Sequence, residues 1–176
     1  MRSLLEIAKD RPFVITLLVT ALTGIHLLAT WRGWVPNVWS GLEDAAADAI
    51  AIYLGLSAGA AILAGFAGVI VIHGLSVSSP RFRTYRLTAG VALHANWASI
   101  SSAGFLSAAL ALVAAVLAAG GAPWLAPWLF QLAFGCAIHG TVRLLWLLRT
   151  FFRLQRDDDA DAHTQASKRD LNSLFG

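Results

Sequence analysis

The stretch from Leu87 to Val142, LTAGVALHANWASISSAGFLSAALALVAAVLAAGGAPWLAPWLFQLAFGCAIHGTV, contains no Asp, Glu, Lys or Arg across 56 residues. As one helix it would reach roughly 84 Å, far more than a bilayer core of about 30 Å. It therefore folds back on itself, and Gly120, Gly121, Ala122 and Pro123 mark the turn. Two membrane-crossing helices follow from this stretch alone.

Working outward, the segment from Ala49 to Pro80 is also free of Asp, Glu, Lys and Arg, and Pro12 to Thr30 is an apolar run bounded by Lys9, Asp10, Arg11 and Arg32. The 176-residue chain is 57% hydrophobic and 13% charged, about half the usual charge of a soluble domain. These features exclude a disordered chain, a collagen and an ordinary soluble enzyme. They predict an all-α integral membrane protein, an antiparallel four-helix transmembrane bundle with helices about 12–31, 47–74, 93–119 and 124–149. The membrane domain covers 1–156, and 157–176 reads as a polar, disordered tail. The first span is long and has no clean small-x-small cleavage site, so it is expected to stay uncleaved.

Local signals punctuate these helices. Pro12 suits a first helical turn, where its missing N–H costs nothing. Ser40 and Glu43 form an S-x-x-E capping box for the second span, and Ser79-Pro80 caps a short prelude, Arg81 to Leu87, before the third.

Charge placement sets orientation. With both termini cytoplasmic, 12 of the 13 Lys and Arg residues lie inside and only Arg32 lies outside. Trp31, Trp34, Trp39, Trp124 and Trp128 then gather at the outer interface. The predicted location is the cell inner membrane, multi-pass. Arg81, Arg83, Arg86, Arg143, Arg149, Arg153 and Arg156 are the expected contacts to a partner or to anionic lipid headgroups on the cytoplasmic side. Basic residues interleaved with aromatics also suit nucleic acid, but their position at a membrane boundary favours lipid, so no nucleic-acid partner is expected.

Lipid tails supply no hydrophobic drive between helices, so close backbone approach must. Gly55 and Gly59 form a GxxxG, followed by Gly65 and Gly68, and these are the expected helix-packing positions, within the chain first and in a homo-oligomer second. Thr16, Thr20, Thr23 and Thr30 share one face of the first helix, and the third helix is rich in Ser and Ala.

The candidate chemistry is sparse. Gln131, Gly135, His139, Arg143, Trp146 and Thr150 share a side of the fourth helix, a polar stripe of the kind that faces protein or water. Apart from Asp48 at the outer end of the second, no Asp or Glu lies inside a span, which disfavours proton-coupled export. His26, His73, His94 and His139 place one imidazole on or beside each helix; only His73 and His94 match in depth, and they are the candidate axial ligands of a b-type haem. The single cysteine, Cys136, excludes a disulfide and any thiolate metal set and reads as a core residue. The acidic run Asp157 to Asp161 follows the basic stretch and can fold back on it; it lacks the ligand pattern of a calcium loop. There is no nucleophile elbow, phosphate loop or HExxH.

The sequence thus points to a small non-catalytic membrane protein, a subunit, regulator or exclusion/immunity-type protein that contacts a membrane-protein partner or lipid, with no cofactor. The alternatives are an electron-transfer subunit holding haem b on His73 and His94, and a pore-forming or holin-like oligomer.

Overall fold

The computed structural model describes residues 12–77 and 79–175. Arg2, Lys9 and Arg11 lie outside the described residues, as do the side chains of Lys168, Arg169 and the Leu171–Phe175 cluster. Among the described residues there is no strand. The elements are α1 (Pro12–Trp31), α2 (Ser40–Asp44), α3 (Ala46–Ser76), α4 (Pro80–Ala119) and α5 (Ala126–Phe175). Four of them, α1, α3, α4 and α5, are long and apolar enough to cross a membrane.

Two helix ends are closed by glycine. At the end of α4, Gly121 has φ +93°, and the Ala122 N–H reaches back to the Leu117 carbonyl at 3.0 Å. At the end of α1, Gly33 has φ +70°, with the Trp34 N–H on the Ala29 carbonyl at 2.9 Å. Both are left-handed terminations in which a Cβ would be strained, and both satisfy carbonyls that the helix leaves open. The turn expected at Gly120–Pro123 is thus a helix cap followed by a short bend into α5.

The S-x-x-E signal works differently from its expected role. Ser40 is the first residue of the five-residue α2, whose N-cap position is Trp39 and carries no side-chain cap bond. Glu43 instead accepts from Asn37 Nδ2 at 2.9 Å, holding the loop before α2. The next helix starts separately at Ala46.

Ser79 does cap a helix: its Oγ accepts from the Phe82 N–H at 3.2 Å, with Pro80 opening the first turn. The capped helix is the whole of α4, with no break between the Arg81–Leu87 prelude and the apolar span. Likewise the acidic segment from Asp157 continues α5 without interruption to Phe175, where composition suggested a tail.

The core has two apolar centres. At one end of the molecule, here the turn end, Ala49 and Tyr53 from the start of α3 pack with Ala114, Ala115 and Ala118 from the end of α4, and with Ala126. At the other end Ala67 packs with Phe82, Leu93, Trp97 and Ile100 of α4, and with Leu144, Leu147 and Phe151 of α5. So α3 and α4 meet start to end. Between the centres, Ser57 Oγ donates to the Ala108 carbonyl and Ser107 Oγ to the Ala133 carbonyl, at 2.9 and 2.7 Å. A hydroxyl bonded to a neighbouring helix's backbone needs the two backbones close together.

Close approach falls on other small residues than those expected. A Cβ on Gly104 would stand 2.9 Å from Ala64 Cβ and 3.3 Å from the Ala60 carbonyl oxygen. A Cβ on Gly135 would collide with Val19, and one on Gly74 with the Phe151 ring. Gly55, Gly59, Gly65 and Gly68 each face open space, with nothing within 4 Å of a Cβ. The expectation that these four pack the helices of this chain is therefore corrected. The buried face of α3 is its alanine row, Ala60, Ala64 and Ala67, and the GxxxG lies on its outer side.

Candidate functional site

The polar groups along α5 are gathered at three levels. At the turn end, Gln131 is a hub for three elements. Its Oε1 lies 2.9 Å from His26 Nδ1 of α1 and accepts from Trp39 Nε1 at 2.9 Å. Its Nε2 donates to Thr23 Oγ1 at 3.5 Å. Trp128 meets the His26 ring edge-on, with centroids 5.1 Å apart. Helical spacing explains why one residue reaches so much: Val19, Thr23 and His26 recur on the face of α1 that meets α5.

The tryptophan set divides here. Trp31, Trp34 and Trp124 are exposed, and Arg32 lies over the Trp31 ring at 5.6 Å. Trp128 is buried and Trp39 is bonded inward to Gln131, so these two serve the interior rather than an interfacial belt.

At mid-molecule, His139 and Arg143 are buried, at 6% and 8% exposure. His139 Nε2 lies 3.4 Å from Ser99 Oγ, and the Arg143 guanidinium donates to Asn96 Oδ1. Both partners come from α4. The lower stripe residues differ: Trp146 is exposed, and Thr150 bonds back to the Trp146 carbonyl at 3.0 Å. Asn96 was not singled out by sequence, and Ser99 only as one of the small residues of the Ser- and Ala-rich third helix. Their only signal is an i, i+3 polar pair within an apolar helix.

At the far end, the starts and ends of helices form a clasp. Arg81 lies 3.5 Å from an Asp157 carboxylate oxygen and 3.7 Å from one of Asp158, and pairs also with Asp161. Ser79 Oγ donates to Asp158. The acidic run therefore bridges to the first turn of α4 rather than folding back on Arg149–Arg156. Arg86 donates to the Gly74 carbonyl at 3.0 Å and the Val77 carbonyl at 2.6 Å. That places a cation on the negative end of α3, where it offsets the helix dipole and fills open carbonyls. Tyr85 is half-buried beside the clasp, and burial pushes its phenol above the ordinary range. Arg83, Arg149, Arg153 and Arg156 are exposed.

Two cavities border these levels. One, of about 480 Å³, lies between α3, α4 and α5 at the clasp; its lining includes His73, Phe82, Phe151 and Asp159. A second, of about 680 Å³, lies between α1 and α4, and its lining includes Phe13, Leu106, Ser99 and Ser102. His73 and His94 are both exposed; His73 lines the clasp cavity, and His94 is not among the residues that do. Among the described residues, no group of three His, Cys, Asp or Glu side chains is placed to hold a metal ion. Cys136 is buried in the core. Compared with known protein families, curated proteins and solved structures, the chain matches none.

Proposed function

We propose that this chain is a multi-pass protein of the cell inner membrane. Its four long helices cross the bilayer as an antiparallel bundle, with both termini and the clasp in the cytoplasm. It acts without catalysis, as a membrane subunit, regulator or exclusion/immunity-type protein, through contacts made by its cytoplasmic end.

Three features support the membrane placement. Large apolar side chains point outward along the spans: Leu17, Ile25, Ile62, Phe66, Phe105 and Val116 are each more than half exposed. A soluble protein seldom shows so much contiguous apolar surface. Gln131, His139 and Arg143, polar side chains inside the last span, are turned toward polar partners on neighbouring elements. The described basic residues, Arg32 apart, lie at mid-molecule or toward the clasp end.

The observation that carries the functional reading is the length of α5. Its 50 residues rise about 75 Å, more than twice a bilayer core. The residues after Arg149 alone add roughly 39 Å. Clasped to the first turn of α4, this extension forms a stiff stalk. Arg149 and Arg153 sit where anionic headgroups lie, and Arg156 and the acidic run stand beyond them. The exposed stalk face is the contact surface for a partner protein.

Site-directed photo-crosslinking in living cells tests this. A benzophenone residue at Arg153 or Arg156 is expected to yield one discrete protein adduct, the same from both sites, and none from lipid-facing Leu112. Absence of an adduct from the stalk would overturn the partner reading. A cysteine at position 83, with Cys136 replaced by Ala, is expected to react with an impermeant maleimide only after permeabilisation. Reaction in intact cells would overturn the orientation.

A further inference from the structure

The clasp cavity has two chemically different kinds of lining. One is apolar and aromatic and includes Ile70, Phe82, Leu148, Phe151 and Phe152. The other is polar: His73, Ser79, Gln155, Asp158 and Asp159. The volume, about 480 Å³, lies within the range of pockets that hold small organic ligands.

The charge beside the cavity has a definite sign. Asp157, Asp158 and Asp161 share the single Arg81 guanidinium, and Asp159 takes no part in that cluster. Of these, Asp158 and Asp159 line the cavity; Asp158 is held by Ser79 and Arg81, which leaves Asp159 as the lining carboxylate outside the ion-pair cluster, while Arg86 is engaged on the Gly74 and Val77 carbonyls. Arg149, Arg153 and Arg156 do not offset this from the front. On α5 their face lies roughly 150° round from the one formed by Leu148, Phe151, Gln155 and Asp158, and roughly 70–90° from Phe152 and Asp159. An anionic amphiphile is thus opposed by Asp159, while a cation is attracted. The aromatic rings of Phe82, Phe151 and Phe152 in the lining add a further preference for positive charge.

We infer that this cavity is a binding site for a hydrophobic organic cation. The ligand is a quaternary ammonium, phosphonium or protonated amine whose apolar body lies among the phenylalanines and whose charge faces Asp159. The inference goes beyond the proposed partner contact of the stalk and does not depend on it.

Equilibrium binding of radiolabelled tetraphenylphosphonium to the full chain, purified in a neutral maltoside detergent, tests it. Tetraphenylborate, with the same shape and opposite charge, is the competitor. The expected result is saturable binding of one cation per chain, with no displacement by the borate. Asp159→Lys is expected to weaken binding about tenfold or more. Leu148→Trp, which fills the cavity, is expected to abolish it with an unchanged size-exclusion profile. Non-saturable uptake, equal binding of both ions, or binding unchanged in Asp159→Lys would overturn the inference. If Leu148→Trp aggregates, the exposed Asp159→Lys variant and the ion pair of opposite sign decide the matter by themselves.

Discussion

The two kinds of glycine on the packed helix pair make a direct test of the fold. A methyl on Gly104 would lie 2.9 Å from Ala64 Cβ, whereas ordinary carbon contacts begin near 3.4 Å, so Gly104→Ala requires α3 and α4 to part by about 0.5 Å. Over-packing of this kind costs about 1–3 kcal/mol, and the better helix propensity of alanine returns up to about 1 kcal/mol. The net loss for Gly104→Ala is then about 0–2 kcal/mol. For Gly104→Leu the helices must part much further, and a loss of at least about 2 kcal/mol is expected. Gly59→Ala and Gly59→Leu meet open space, so they keep the propensity gain and are neutral or stabilising. The assay is thermal unfolding followed by the monomer peak on size exclusion in detergent. With about 2–4 °C per kcal/mol for a chain of this size, Gly104→Leu should lower Tm by about 4–8 °C. A Gly59→Leu variant that loses as much stability as Gly104→Leu would refute the assignment of the alanine row as the buried face of α3.

Two further outcomes follow from the polar levels. Gln131→Leu leaves His26 Nδ1 and Trp39 Nε1 without their shared acceptor, and is expected to cost about 2 kcal/mol, read as a Tm drop of about 4–8 °C; a change below the error of the scan would show the hub to be incidental. Asn96→Leu removes an acceptor from the buried Arg143 guanidinium and is expected to cost about 3 kcal/mol. Adding Arg143→Met to Asn96→Leu should recover at least about 1 kcal/mol in a double-mutant cycle, and strict additivity of the two losses would dispose of the coupling.

What the sequence revealed and what it hid divide along a physical line. Helix positions within apolar runs were legible, since spans need a fixed number of apolar residues. The first ends at Trp31 and the second covers Ala46–Ser76 against an expected 47–74. The start of α4 was displaced by thirteen residues, because hydropathy falls at Arg81–Arg86 while the hydrogen-bond ladder continues through it. The Ser79-Pro80 cap was visible and its range was not. Glycine spacing revealed small residues without saying which side of α3 faces a neighbour. That depends on the crossing with α4, where Ala64 rather than Gly59 meets Gly104. The stripe Gln131, His139 and Arg143 is a property of one helix, so spacing alone places it on one side. Its partners Thr23, His26, Trp39, Asn96 and Ser99 come from two other helices and a loop, and nothing local to α5 names them.

The same polar levels divide the molecule's cohesion. Helices α3, α4 and α5 share both apolar centres, so burial and close packing hold them as one unit. The α1 helix belongs to neither centre and touches chiefly α5. Its attachment rests on Val19 against Gly135 and on Thr23 and His26 at Gln131, and a cavity of about 680 Å³ separates it from α4. Under the proposed membrane placement, apolar contact between helices gains little over contact with acyl chains, and the hydrogen bonds at Gln131 carry a larger share of that attachment than they would in water. The loop through Trp39 is tied to the same side chain. Gln131 is therefore the point at which α1 and the Trp39 loop are both tied by hydrogen bonds to the three-helix core.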